Sequence, residues 1–315
     1  MNKKILCCIP WTEYYDYPLC RKFIKERLSK CMTDIRVVVP SFPEGIELKS
    51  SDVDDFYNWL TDDLRGYATV ERITLDKSPK VTKWSGKVED NTYNHFYTYQ
   101  FEHCLDSCQY DYIARIETDF HTNDWDKFEK ALLEDFDLIT LGLGPTHRHA
   151  GDVSFAVFKR DLLLSVEDLM FTMSTNRKIQ FNYNYNSDKQ FRNTDGHILF
   201  DKNQFLHKSD EQFRYDIFQW AIFRCIEKSD KVYLMHPLNV KTEHYVGMTQ
   251  QASMYRRIKF TTQTPQLTDF HAINKNSVLM KYIEQTTSEI DINNYNLFPP
   301  YKILVEKFCE DCDKQ

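Results

Sequence analysis

The sequence predicts an α/β protein with a mostly parallel central sheet flanked by helices. Short apolar runs alternate with segments of helical periodicity through much of the chain. One of those runs, residues 34–40 (DIRVVVP), is Val-rich and does not alternate, which suits a strand covered on both faces. A single amphipathic segment separates the first two runs, giving a β-α-β opening.

Taken in order, residues 3–10 (KKILCCIP) form a strand that ends in Pro-Trp-Thr. Residues 19–32 place apolar or cysteine side chains at helical spacing and are basic outside. Residues 93–108 read as a second amphipathic helix, which delivers the chain to the buried strand 112–116 (YIARI). A helix over 125–134, a strand over 136–143 (FDLITLGL) and a strand over 153–159 (VSFAVFK) follow. Residues 176–195 are polar and Asn-rich, so a loop or irregular hairpin is expected. A helix over 213–227 precedes the strand-like stretch VYLMHPLNVKTEHYVG. The tail from Thr261 contains one helical piece, 277–286, and is expected to pack as an appendage.

Composition narrows the function classes. At 315 residues the chain can be one large domain or two small ones. A hydrophobic content of 42% with only 8 Gly and 10 Pro indicates a folded globule. Its 22 Phe, 19 Tyr and 5 Trp suit a carbohydrate binder and an aromatic core equally well. A net charge of −7 disfavours a broad nucleic-acid surface, which needs clustered Lys and Arg. The nine cysteines form no regular framework, and Cys309 and Cys312 have no partner motif that would complete a zinc site. The start MNKKILCCIPW lacks a small-residue cleavage site, and no run reaches the ~18 apolar residues of a membrane span. Together with the absence of Asn-x-Ser/Thr sequons, this leads us to expect the reducing cytoplasm of a bacterium or virus-infected cell. A phosphate-binding GxxxxGK[ST] loop, a GxGxxG turn and a GxSxG elbow are all missing.

The chemistry concentrates at Glu117-Thr118-Asp119, where the 112–116 strand ends. Two carboxylates spaced i, i+2 on such a turn can reach one cation together. Mg²⁺ and similar hard ions often bind protein through one or two carboxylates plus substrate phosphates. The carboxyl edge of an open α/β sheet is also where ligands sit. Acid-x-acid is nevertheless common at solvated loop ends, so context decides.

That context resembles the GT-A class of nucleotide-sugar glycosyltransferases. The resembling parts are the opening strand with its loop IPWTEY, the strand end IARIETDFH, the segment DVSFAVFKRDLL, the acid pair in SDEQF, and a late histidine in KTEHYVG. Their order and spacing match over roughly residues 3–250. The chain departs from the family pattern in carrying Glu117 where Asp is usual, and nothing beyond about residue 260 is similar.

The resemblance implies a Rossmann-like GT-A domain over 1–260, with 1–124 binding the nucleotide sugar, 125–260 serving the acceptor, and 261–315 as a C-terminal extension. It implies Mn²⁺ or Mg²⁺ held by Glu117, Asp119 and His244, with His121 as a competing ligand. Pro10, Trp11 and Thr12, with Tyr14 nearby, would hold the base, a flat ring stacking on it. Lys83, Lys87, Asn91 and Thr118 would contact the phosphates or donor sugar. Asp210 or Glu211, before the 213–227 helix, would position or deprotonate the acceptor hydroxyl; capping that helix is the plainer role for such acids. The expected enzyme is a glycosyltransferase of the hexosyltransferase class. Its expected partners are a nucleotide-sugar donor, a UDP-sugar first among them, and a glycan or other hydroxyl acceptor. A modified DNA base stays among the acceptors the sequence allows. Rival readings are a metal-dependent phosphoesterase or nuclease using the same carboxylates, and a non-catalytic sugar- or partner-binding protein.

Overall fold

The structure, a computed structural model, describes residues 3–11, 15–40, 50–73, 105, 109–141, 152–166, 190–192, 219–229, 231–235, 240–244, 278–299, 301–303 and 305–306. Strand β1 (Ile5–Pro10) leads to helix α1, which runs as Pro18–Phe23, a π-helical turn Ile24–Leu28 and a closing turn Ser29–Cys31. Pro18 opens it, where a missing N–H costs nothing. Then come β2 (Asp34–Pro40), α2 (Ser50–Asp63), β3 (Thr69–Ile73), β4 (Tyr112–Ile116) and the short β5 (Phe120–Thr122). The chain continues through α3 (Trp125–Leu133), β6 (Leu138–Leu141), β7 (Asp152–Lys159), α4 (Arg160–Ser165) and β8 (Gln190–Arg192). It ends with α5 (Gln219–Lys228), β9 (Lys231–Met235), β10 (Thr242–His244) and α6 (Val278–Glu289).

Eight strands make one sheet in the order β3-β2-β1-β4-β7-β6-β9-β8. All neighbours are parallel except β7, which runs antiparallel to both β4 and β6. This is the mostly parallel, Rossmann-like sheet with flanking helices that the sequence led us to expect. Val37, Val38 and Val39 are all buried, as a non-alternating strand requires. Every residue of β1, β4 and β6 is buried as well.

Several elements differ from expectation. The reversed direction of β7 leaves no mark in VSFAVFK, because a strand buried on both faces reads the same either way. Within the stretch expected to be a loop or irregular hairpin, Gln190–Arg192 is an edge strand parallel to β9. Three residues, QFR, are too few to show a period. Helix α2 and strand β3 are additions: Val53, Phe56, Leu60 and Leu64 form a buried stripe at helical spacing. Apart from Leu105, which is buried, the expected 93–108 helix lies outside the described residues.

The C-terminal residues pack against the start of the chain. Arg21 of α1, fully buried, binds both Asp16 oxygens at 2.8 and 2.9 Å and reaches Asp63 at 2.6 Å. It also donates to the Asn296 carbonyl at 2.9 Å, while Phe298 N–H donates to Asp16 at 3.0 Å. Trp59 and Tyr295 lie against the guanidinium at 4.6 and 4.8 Å. Tyr301 meets Tyr15 edge-on at 5.2 Å, and Tyr282 meets Tyr17 at 6.1 Å. A planar, always-charged fork suits this junction, because it satisfies two carboxylates and a carbonyl at once.

Candidate active site

The sheet order locates the crevice. From β1 the chain steps to β2 and β3 on one side, while β4 pairs on the other. The carboxyl ends of β1 and β4 therefore flank a topological switch point, where open α/β sheets bind ligands. Glu117-Thr118-Asp119 follow β4 at that edge, and Trp11 follows β1.

A tight turn sets the three residues. Glu117 N–H donates to the Ser154 carbonyl of β7 at 2.9 Å, and its own carbonyl accepts from Phe120 N–H at 3.2 Å. Thr118 and Asp119 are buried, whereas Glu117 is half-buried. The Glu117 carboxylate is bound by the guanidinium of Arg115, a β4 residue that is itself buried. In register beside Arg115 stand the small residues Cys8 of β1 and Ala156 of β7, which leave room for a long side chain inside the sheet. Glu117 is thus tied to an internal cation.

Asp119 faces α1. Burial pushes the Cys20 thiol well above its ordinary value, and the nearby Asp119 carboxylate pushes it further. Immediately after Asp119, the ring of Phe120 enters the core, 6.3 Å from Phe23, 6.1 Å from Phe128 and 5.6 Å from Phe155. That aromatic anchor fixes the turn from below, each such pair contributing about 0.5–1.5 kcal/mol beyond area burial.

A late segment folds back over this turn. Strand β10 pairs antiparallel with β5, setting Thr242 opposite Thr122, Glu243 opposite His121 and His244 opposite Phe120. The backbone of His244 is thereby placed across from the residue that follows Asp119; its side chain lies outside what the structure describes. Thr122 Oγ1 donates to the Lys241 carbonyl at 2.8 Å, and Lys241 N–H donates to Asp124 at 2.7 Å, so the pairing is stitched at its end. His121 is buried, with Nε2 2.7 Å from Oε1 of Glu289, the last residue of α6.

The proposed stacking role of Trp11 needs correction. Its ring is fully buried, its Nε1–H donates to the Tyr15 carbonyl at 2.9 Å, and Tyr17 and Phe56 pack on it at 5.3 and 6.4 Å. A ring enclosed in this way offers no face to a base. It is a core residue that shapes the loop after β1, and Pro10 is buried beside it. Thr12, Tyr14, Lys83, Lys87, Asn91, Asp210 and Glu211 lie outside the described residues.

Two residues of this region were missed in the sequence. Arg115 carried a signal, a charged side chain inside an otherwise apolar strand. Glu289 carried none, because its partner His121 is 168 positions away. Among the described residues, no three His, Cys, Asp or Glu side chains gather closely enough to hold a metal ion by themselves. Nor is any helix among them long and apolar enough to cross a membrane.

No protein-family model matches the chain, and no curated protein matches it significantly. Solved structures do resemble it at low identity. A mannosyltransferase of Pyrobaculum calidifontis, in complex with GDP-Man and Mn²⁺, is 11% identical over 97% of this chain and 69% of its own, with a TM-score of 0.39. A Bacillus anthracis protein described as a glucose-1-phosphate thymidylyltransferase is 11% identical over 82% of this chain and 98% of its own, at 0.37. TarS of S. aureus is 9% identical over 92% of this chain and 73% of its own, at 0.34. No residue role is transferred from these likenesses, and the fold assignment rests on the strand order.

Proposed function

We propose that this chain is a metal-dependent glycosyltransferase that moves a sugar from a nucleotide-diphosphate donor to a hydroxyl acceptor. The observation that carries the reading is the turn 117–119, with the buried carboxylate of Asp119, at the switch point between β1 and β4. Oxygen donors in that number fit Mn²⁺ or Mg²⁺, whose remaining positions are commonly filled by substrate phosphates and water. The ion, when bound, offsets the charge that grows on the leaving diphosphate.

This chain's residues divide the work. Asp119 supplies the principal carboxylate. Glu117, restrained by Arg115, accepts hydrogen bonds or assists at longer reach. His244 enters from β10, whose backbone pairing sets it opposite Phe120. Thr118 lines the donor side, with Lys83, Lys87, Asn91 and Thr12 as further donor contacts. Asp210 or Glu211 orients the acceptor hydroxyl, or takes its proton if the reaction inverts configuration. A UDP-sugar is the first donor to try and a glycan the first acceptor.

A thermal-shift panel of UDP-, GDP- and dTDP-sugars, with and without Mn²⁺, tests the reading. A ligand at 100 times its dissociation constant stabilises the folded chain by about 2.7 kcal/mol. Stabilisation that requires both sugar nucleotide and metal is the expected result. Metal-independent binding, or none by any donor, contradicts it.

A further inference from the structure

Within the glycosyltransferase reading, on which this rests, we infer that Glu289, the last residue of α6, is a positioning residue. Through His121 it holds the β5–β10 ribbon against the acidic turn, which makes the C-terminal helix a part of the site. The ribbon has little to hold it by itself. Each of its strands is three residues long, and a two-stranded ribbon alone is marginal in water. One end is tied by Thr122 Oγ1 on the Lys241 carbonyl and by Lys241 N–H on Asp124. Successive side chains of a strand point to opposite faces, so Phe120 and His121 anchor different sides of β5. Phe120 is sunk among Phe23, Phe128 and Phe155. On the opposite face, His121 Nε2 lies 2.7 Å from Oε1 of Glu289.

Glu289 is itself oriented by its neighbours. Gln285, one turn earlier in α6, donates to the same Oε1 at 2.6 Å, and the Lys22 ammonium of α1 stands 3.6 Å from Oε2. Lys22 also donates to the Glu289 carbonyl at 3.0 Å, at the helix end where cations are favoured. Among these donors the carboxylate only accepts, so His121 Nε2 carries the proton and donates it. His121 is buried and Glu289 half-buried, so water competes little for this charge-assisted bond. Tyr282, Ile283 and Thr286, buried at helical spacing, fix α6 in turn. In the ribbon His121 stands opposite Glu243, one position from the pairing of Phe120 with His244. Its anchorage therefore sets both the exit of the 117–119 turn and the placement of the β10 backbone that carries His244.

The test pairs calorimetric titration of the full chain, using the best sugar nucleotide of the thermal-shift panel with Mn²⁺, with hydrogen exchange of the ligand-free protein read by mass spectrometry. Glu289→Ala should weaken donor binding about tenfold, the size of coupling carried by a packed network. It should also speed exchange in β5 and β10 while β1 and β2 exchange as in the parent. Glu289→Gln, whose amide oxygen still accepts from Nε2, should recover most of both losses. In a His121→Ala background, Glu289→Ala should add no further loss, because the coupling passes through that ring. Should Glu289→Ala fail to fold, Glu289→Asp, one methylene too short to reach the ring, takes its place with the same expected loss. Tyr301→Phe is the control for a merely structural role of α6. It removes a buried hydroxyl 3.3 Å from Thr286, and should lower the melting temperature while keeping donor affinity. Unchanged donor affinity in folded Glu289→Ala, or equal weakening by Tyr301→Phe, overturns the inference and leaves the glycosyltransferase reading standing. If the parent binds no sugar nucleotide with Mn²⁺, the functional reading fails, and this inference fails with it.

Discussion

Asp119 is buried in the turn that follows β4, at the sheet's switch point and immediately before the β5–β10 ribbon. Replacing it by Asn keeps the shape and removes one anionic donor from a site that has few. We expect Asp119→Asn to abolish metal-dependent donor binding while melting within a few degrees of the parent. Glu117→Gln should be milder for binding, because Arg115 already restrains that carboxylate. It should instead lower stability, since the buried Arg115 would lose the charge of this partner. Calorimetric titration and melting curves of the two variants distinguish these outcomes. Equal loss of donor binding in both would show that Glu117 ligates the ion directly. Acceptor chemistry is separable at the same scale. Asp210→Asn and Glu211→Gln should leave donor affinity nearly unchanged, and one of them should lose most of the ~10²–10⁴-fold that a general base contributes if the enzyme inverts. Full transfer activity in both would reduce the pair to a helix cap.

Among the elements, α1 does most to join the ends of the chain to the site. One stretch of it places Cys20 within the electrostatic influence of Asp119, Arg21 in the Asp16–Asp63 junction, Lys22 on Glu289 and Phe23 on Phe120. Breaking a buried pair by removing one partner typically costs ~3–5 kcal/mol, and Arg21→Ala would leave the buried Asp16 without its countercharge, while Asp63 keeps Lys25 at 2.8 Å. We expect a loss of that size in urea denaturation, with the segment after α6 becoming the first site of proteolysis. An Arg21→Ala protein within ~1 kcal/mol of the parent would show that the junction is not holding the C-terminal residues. The junction also sets a pH dependence. Burial pushes the Asp63 carboxyl up, but the Arg21 guanidinium and Lys25 ammonium outweigh it and hold it below the usual carboxylate range. Its contribution is therefore present above the unfolded value of about 3.9 and lost as pH falls through the lower folded value. Acid titration of stability should be shallower in Asp63→Asn than in the parent. An identical acid limb would contradict this.

For the whole molecule, the sheet and its first helix were readable because burial imposes periods on the chain. The run DIRVVVP becomes β2 with its bounds intact, and YIARI becomes β4 in the same way. What periodicity cannot carry is direction and distance. VSFAVFK shows a buried strand without telling that β7 runs against its neighbours. QFR is too short for any pattern, yet it closes the sheet's edge. Trp11 illustrates another limit: an aromatic ring after a strand reads alike whether it faces a ligand or the core, and here the core holds it. The candidate site was legible as the turn 117–119, since acids directly after an apolar strand stand out. Glu289 was not, because a pairing with His121 across 168 positions leaves no local spacing, whereas Arg115 showed only as a charge inside an apolar strand.

Metal-dependent capture of a sugar nucleotide at the β1–β4 switch point, through Asp119, is the core of the proposed function. It is tested most directly by calorimetric titration of the parent and Asp119→Asn with the best donor from the thermal-shift panel, each with and without Mn²⁺. Saturable binding by the parent only when Mn²⁺ is present, and none by folded Asp119→Asn under the same conditions, is the expected result. Binding of equal strength by both proteins, or by the parent in metal-free buffer, would contradict it.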